Sequence, residues 1–294
     1  MAPSSPTVAA WALGRRLREK RDQAGLTATA AAKRFGITSA YLSEFEHGKK
    51  NVGEDRLEAL LDAYEFDKDE ADELRVLRKE AGRRGWWSDY TGLFSDELLR
   101  FFGYEHGAES IRTYGSDIVT GLLQTEEYAR ALIEAGSPNL RLAEVDRRIQ
   151  ARLHRQNRLT GEDPLQLSTI MSEAVLYQQV GGREVLAGQL KYLGDLVEQQ
   201  PGNLDIRIVP FEATGHEAMG GSIFHLMTFP SGKLPTLLWQ ETVTSTQVIT
   251  DPMTVREYHL AYTEVTKAAL DRKSSLLRIK DAYGRLRSRT TVET

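Results

Sequence analysis

Cysteine is absent from the 294 residues, so the chain can form no disulfide, offer no thiolate nucleophile and hold no cysteine-ligated zinc or iron–sulfur centre. No window approaches the roughly 18 consecutive apolar residues that a membrane span needs, and Met1 to Ala10 show neither the basic nor the apolar segment of a secretory signal. A dominant charge of one sign is missing as well. The 38 basic and 42 acidic side chains leave a net charge of −4, which argues against a protein that coats nucleic acid with its whole surface. Any basic function must therefore be local. Histidine is scarce: His47, His106, His154, His216, His225 and His259 never fall three to five residues apart beside an acidic neighbour on a helix, so no metal is expected. There is no HExxH, no G-x-S-x-G elbow, no P-loop and no G-x-G-x-x-G after a strand, so the reading is not an enzyme, with no catalytic residue and no cofactor. A Glu173, His216, Glu241 acid–base cluster is conceivable, but nothing in the sequence brings the three together.

What is present, 40% apolar and 27% charged residues, is the profile of a folded cytoplasmic protein of about two domains. Residues 1–10, small and with Pro3, Ser4, Ser5 and Pro6, read as a disordered tail. Residues 11–65 read as a bundle of short helices punctuated by Gly25, Gly36, Gly48 and Gly53. Seven acids between Asp62 and Glu73, followed by a basic, glycine-bounded stretch to Gly85, mark 66–88 as a linker, with Trp86, Trp87 and Tyr90 as an aromatic hinge docking it on the second domain. Residues 89–290 read as a larger α+β domain with a small antiparallel sheet. Thr125 is suited to cap a helix through Glu134. Further helices are expected over 142–159 and 183–200, and strands over 165–171, 204–210, 223–229 and 236–240. Val255, Tyr258, Tyr262, Val265, Ile279, Tyr283 and Leu286 keep a 3,4 rhythm broken at Arg272, an apolar seam that either packs on the sheet or meets a partner helix.

The N-terminal bundle carries the clearest motif. A helix of small residues ends at Phe35, Gly36-Ile37-Thr38 makes a tight turn, and a second helix runs from Ser39 to His47, which is helix-turn-helix spacing. Gly36 can take a positive φ, Thr38 can cap the second helix, and that helix, about 14 Å long, fits a major groove about 12 Å wide. Thr38, Ser39, Ala40, Ser43 and Glu44 would then face bases, and Arg15, Arg18, Thr27, Lys33, Lys49 and Lys50 would face phosphates of double-stranded DNA. Hydroxyls and one carboxylate read bases weakly, so specificity calls for a homodimer on two half-sites about 34 Å apart, for DNA shape or for a partner.

Leu26-Thr27, Ala31 to Gly36, Tyr41-Leu42-Ser43, Glu46 and Gly48-Lys49 resemble the Xre (lambda-repressor-like) helix-turn-helix family over about residues 12 to 65. Where members often have glutamine the chain has Ala28 and Ser39, and where a basic residue often follows the serine it has Glu44. Ile118 to Arg130, Arg152 to Gln156, Glu173-Ala174, Gly181-Gly182, Gln189-Leu190 and Ile208-Val209-Pro210 are similar to the C-terminal domain of WhiJ-like, antitoxin-like actinobacterial regulators. That resemblance implies a transcriptional regulator whose C-terminal domain binds a small partner protein encoded nearby. Gly121, Leu122, Leu123, Gln124, Tyr128, Arg152, Arg155 and His216 are the expected partner or effector surface, together with the loop 211–222. The alternative is an antitoxin-like module whose main role is sequestering that partner, with DNA binding secondary. Arg141, Arg147, Arg148, Arg152, Arg155 and Arg158 crowd one helix and are read either as a dock for DNA or an acidic partner or as Arg152 paired internally with Glu173 and the others solvated.

Overall fold

The computed structural model describes residues 2–136, 141–199, 202–242 and 246–288; Met1, Gln200 and the last two residues of the expected second domain, 289 and 290, lie outside the described residues. The chain divides into two units, one formed by Pro3–Thr91 with Leu99–Gly107 and the other by Gly92–Leu98 with the chain from Ala108 onward.

The first unit is all helical, with α1 (Pro6–Gln23), α2 (Ala28–Arg34), α3 (Ser39–Glu46), α4 (Glu54–Ala63), α5 (Lys68–Ala81) and most of α6 (Asp96–Gly107). Its tail is not frayed. The Ser5 side chain accepts from the Val8 N–H, Pro6 starts the helix where its missing N–H costs nothing, and Ala9 is buried. Nor is 66–88 a linker. Asp67 caps α5 through the Glu70 N–H at 2.8 Å, and Ala71 and Leu74 enter the core formed by Leu17, Leu42, Phe45, Leu57 and Leu60. The acidic composition that suggests a solvated spacer instead supplies a favourable helix N-terminus and carboxylates for α1, Glu70 lying 2.8 Å from Arg16 and 2.9 Å from Lys20. The aromatic hinge is corrected too. Trp86 stacks on Phe102 of α6 at 5.7 Å and Trp87 meets His106 at 5.5 Å, so the pair packs inside the first unit.

The second unit contains β1 (Ser110–Gly115), α7 (Glu126–Gly136), α8 (Leu142–Gln156), β2 (Gln166–Ser172), α9 (Arg183–Gln199), β3 (Leu204–Val209), β4 (Phe224–Thr228), β5 (Leu237–Glu241), β6 (Thr246–Ile249), α10 (Pro252–Ala268) and α11 (Arg272–Ser288). Six strands form one sheet in the order β3-β2-β1-β4-β5-β6. The expected antiparallel sheet is mixed: β1, β2 and β3 are parallel, because α7 with α8 and then α9 return the chain to the same end, and β4 to β6 are antiparallel. The α10 half of the C-terminal apolar seam packs on the sheet, with Val255, Tyr262 and Val265 among Tyr114, Phe224, Leu226 and Leu238, whereas the α11 half lies against α9 and the edge strand β3. Where α10 gives way to α11, the edge of β3 is closed. Ile208 donates to Ser275 Oγ at 3.0 Å and accepts from the Leu270 N–H at 2.9 Å, which removes an exposed ladder. Among the described residues no helix is long and apolar enough to cross a membrane.

Candidate nucleic-acid interface and the second-unit motif

Two threonines set the helix-turn-helix. Thr27 Oγ1 accepts from the Ala30 N–H at 3.2 Å and Thr38 Oγ1 from the Tyr41 N–H at 3.1 Å, so α2 and α3 both begin at a side-chain cap. Between them Gly36 takes φ +62°, and the Ile37 N–H returns to the Ala32 carbonyl at 3.0 Å to end α2. Leu42 and Phe45 point into the core, which leaves Ser39, Ala40 and His47 exposed and Ser43 and Glu44 half-buried along the opposite face.

Backbone proximity fixes the position of α3 against α1. A Cβ on Gly14 would lie 2.0 Å from the Phe45 carbonyl oxygen, and one on Gly48, at φ +65°, would lie 2.6 Å from Trp11 Cα. Arg21 then locks the arrangement: its guanidinium meets Glu46 at 2.6 and 2.9 Å and reaches the Leu26 carbonyl at 2.8 Å, with both charged side chains buried. The Glu46 carboxylate accordingly raises the Arg21 pKa. Arg100 of α6 donates to the His47 carbonyl at 3.1 Å and to the Tyr104 hydroxyl at 2.9 Å, holding the C-terminal end of α3.

The expected phosphate-facing residues lie at the surface of this unit, though not all with free charge. Lys33, Lys49 and Thr27 are exposed. Lys50 pairs with Glu44 at 2.7 Å, and that carboxylate raises the lysine pKa. Arg15 pairs with Glu19 at 2.6 Å, and Arg18 lies 3.1 Å from His47 Nε2 and 3.8 Å from Asp22. Arg16 and Lys20 turn toward α5. Of the expected base-facing set, Thr38 spends its hydroxyl on the cap and Glu44 on Lys50, whereas Ser39, Ala40 and Ser43 keep their place on the outer face. His47 joins that face without being singled out by its sequence context. It stands four residues after Ser43, with Nδ1 2.7 Å from the Ser43 carbonyl. A helix of this amphipathic kind, capped, exposed and flanked by cations, is suited to lie in a DNA groove.

In the second unit the expected partner surface is corrected at most of its positions. Leu122, Leu123, Gln124 and Tyr128 are fully buried and Arg155 nearly so, because the segment is internal scaffolding rather than a contact face. Gln124 donates to the Val119 carbonyl at 2.6 Å, accepts from Arg152 at 2.5 Å, and its own carbonyl takes the Gln156 amide at 2.6 Å. From α9, buried Gln189 binds the Leu123 carbonyl at 2.7 Å and the Thr125 N–H at 2.8 Å. A Cβ on Gly121 would meet the Arg155 guanidinium at 3.3 Å. Arg152 is thus internally paired, but with Gln124. The partner of Glu173 is Arg278, at 2.9 Å.

His216 is different. It lies half-buried in the loop 211–222, 3.5 Å from the Tyr114 hydroxyl, and burial lowers its pKa. That loop starts where Phe211 donates to Glu173 Oε2 at 2.9 Å, and it carries the chain from β3 past β2 and β1 to β4.

Residues 98–281 match the model of the family described as Domain of unknown function (DUF5753). The chain belongs to this family. The DUF5753 match takes in the mixed sheet, the Gln124 and Gln189 network and the loop 211–222. Residues 12–74 match a helix-turn-helix domain, a span that includes α5 as far as Leu74. No curated protein and no solved structure matches the chain. A DUF5753 chain with an N-terminal helix-turn-helix domain carries the module of a DNA-binding regulator.

Proposed function

We propose that this chain is a cytoplasmic, sequence-specific transcriptional regulator of the Xre type, in which α3 enters the major groove and the DUF5753 domain receives a partner protein or effector. The observation that carries the reading is the exposed face of Ser39, Ala40, Ser43 and His47, held by the Thr38 cap, the Gly14 contact and the Arg21–Glu46 pair. Lys33, Lys49, Arg18 and Thr27 are exposed in the same unit and would meet phosphates. Because the face offers hydroxyls, a methyl and an imidazole rather than a bidentate fork, the reading includes a homodimer that adds two half-sites. A small partner protein, implied by the likeness to WhiJ-like regulators, would act through exposed parts of the second unit, since Leu122, Leu123, Gln124 and Tyr128 are buried. We assign no catalytic role: Glu173 is 1% exposed and its carboxylate already takes Arg278 and the Phe211 N–H.

Fluorescence anisotropy of the full chain on duplex from its own upstream region, against a scrambled duplex across a salt series, tests this. Specific regulation predicts a preference of at least about 10³-fold and a salt slope of several counterions. Equal and weak binding to both would favour the antitoxin-like alternative, in which sequestration of the partner is the main role.

A further inference from the structure

Beside the loop 211–222, the second unit contains a cavity of about 230 Å³ walled by Ala218, Phe224, Tyr258 and Ala261, with Glu217 and Glu257 on its rim. Its position follows from the topology. Tyr114 near the end of β1 pairs with Phe224 at the start of β4, so the cavity lies at the carboxyl end of the parallel strands, on the face covered by α10. The strand order also reverses here, running outward from β1 to β3 and then returning across β1 to β4. Open sheets with parallel strands bind their ligands in such crevices.

The chemistry of the wall selects a ligand class. Phe224 and Tyr258 stand edge to face with centroids 4.9 Å apart, and the Tyr258 hydroxyl is held by the Gln240 amide, so the ring cannot swing freely. Phe224 is buried and backs Tyr258, which is half-buried, so the aromatic surface for a cation is chiefly that of the Tyr258 ring. Glu217 and Glu257 add two carboxylates for which no ion pair is found among the described residues, whereas Glu264, further along the same helix α10, is paired with Lys267. Alanine and glycine complete the wall at Ala218, Ala261 and Gly221, leaving the space open. Gly220 at φ +76° and Gly215 at φ +136° let the loop fold down beside it.

We propose that this cavity binds a small organic ammonium ion, seated against Tyr258 with Phe224 behind it and neutralised by Glu217 and Glu257. The inference rests on the effector reading of the DUF5753 domain and gives that effector a chemical class. Isothermal titration of the full chain with choline, with its neutral isostere 3,3-dimethylbutanol and with potassium chloride tests it. Choline is expected to bind at least about tenfold more tightly than the isostere, and potassium not measurably. Glu217→Gln/Glu257→Gln should weaken choline by about tenfold or more while leaving the isostere unchanged. Ala261→Leu, which fills the space, should abolish both with the circular dichroism of the parent chain retained. Equal affinity for choline and the isostere, no heat from either, or choline binding unaltered in the double variant would each overturn the proposal. DNA binding measured on the same preparations separates the two claims: loss of choline binding with specific DNA binding intact removes only this one.

Discussion

Arg21 and Glu46, 25 residues apart, form a buried bidentate ion pair at 2.6 and 2.9 Å that ties α1 to the end of α3. The same guanidinium reaches the Leu26 carbonyl, so one side chain spans α1, the turn before α2, and α3. Removing Arg21 leaves the Glu46 carboxylate buried without its counter-ion, and removing Glu46 leaves the buried Arg21 guanidinium with only the exposed Asp22 carboxylate, 2.6 Å away. Arg21→Met or Glu46→Gln should each lower unfolding free energy in urea by about 3–5 kcal/mol, whereas the double change to apolar residues of similar volume should cost less than either. Additive losses in the double variant would show that the two do not act as a pair.

Three glycines separate close approach from turn geometry. Gly14→Ala places a methyl 2.0 Å from the Phe45 carbonyl oxygen and must push α3 away from α1, so a loss of about 3 kcal/mol or more is expected, together with weakened DNA binding. Gly36→Ala meets nothing within 4 Å and suffers only its φ of +62°, at about 1–2 kcal/mol. Gly48→Ala combines both faults and should resemble Gly14→Ala. Urea midpoints in the reverse order would contradict the α1–α3 contact.

Acid should weaken the second unit through its histidines. His225 pairs in register with Thr113 on one side and Trp239 on the other, and burial, then the Arg155 guanidinium, pushes its pKa down to about 3. His216 and His259 are lowered as well, both chiefly by burial. The folded imidazole binds fewer protons than the unfolded one, so its penalty is absent above pH 6.5 and grows as pH falls toward 3. From pH 7 to 5, His225 alone should remove about 2 kcal/mol of unfolding free energy, and His225→Phe should flatten that part of the profile. An unchanged pH dependence in the variant would place the acid sensitivity elsewhere.

The Gly121 to Arg130 segment should behave as scaffold. Gln124→Leu leaves the Val119 carbonyl without its side-chain donor and takes one hydrogen bond from Arg152, and a loss of about 2–3 kcal/mol is expected by thermal or urea unfolding. Tyr128, fully buried, is expected to be as sensitive. Neutral stability with loss of a partner at either position would restore the surface reading.

Much of the first unit is legible in sequence because its signals are local. The Thr38 cap, the glycine of the turn and the apolar Ile37 and Leu42 are each visible within a few residues, whereas Thr27, expected only to face phosphate, also caps α2. Gly14 is not, since its reason lies about thirty residues away; the available signal is that glycine inside a helix is costly and needs a packing explanation. Composition misleads over 66–88, where acids that pair with α1 look like solvated spacer until Ala71 and Leu74 are seen in the core. In the second unit, the Thr125 cap and helix periodicity locate α7, α8, α9, α10 and α11, yet β1 and β6 escape. Ile111 and Thr113 face one covered side and Arg112 and Tyr114 the other, so no apolar alternation marks β1. Parallel pairing likewise depends on which end a crossover returns to, which no local pattern encodes. The double leucine at Leu122-Leu123 is the signal that the neighbouring motif is buried.

The placement of α3 in the major groove can be tested directly because the chain lacks cysteine, so one introduced thiol is unique. Ala40→Cys, on the exposed face of α3, and Asp69→Cys, exposed on α5, would each be mixed with the bound duplex carrying a disulfide-activated thiol tether on a major-groove base edge. Cross-linking through Ala40→Cys at one or two base positions, and none through Asp69→Cys, is the expected result. Equal cross-linking by both, or none from Ala40→Cys on a duplex that the parent chain binds specifically, would contradict α3 as the reading helix.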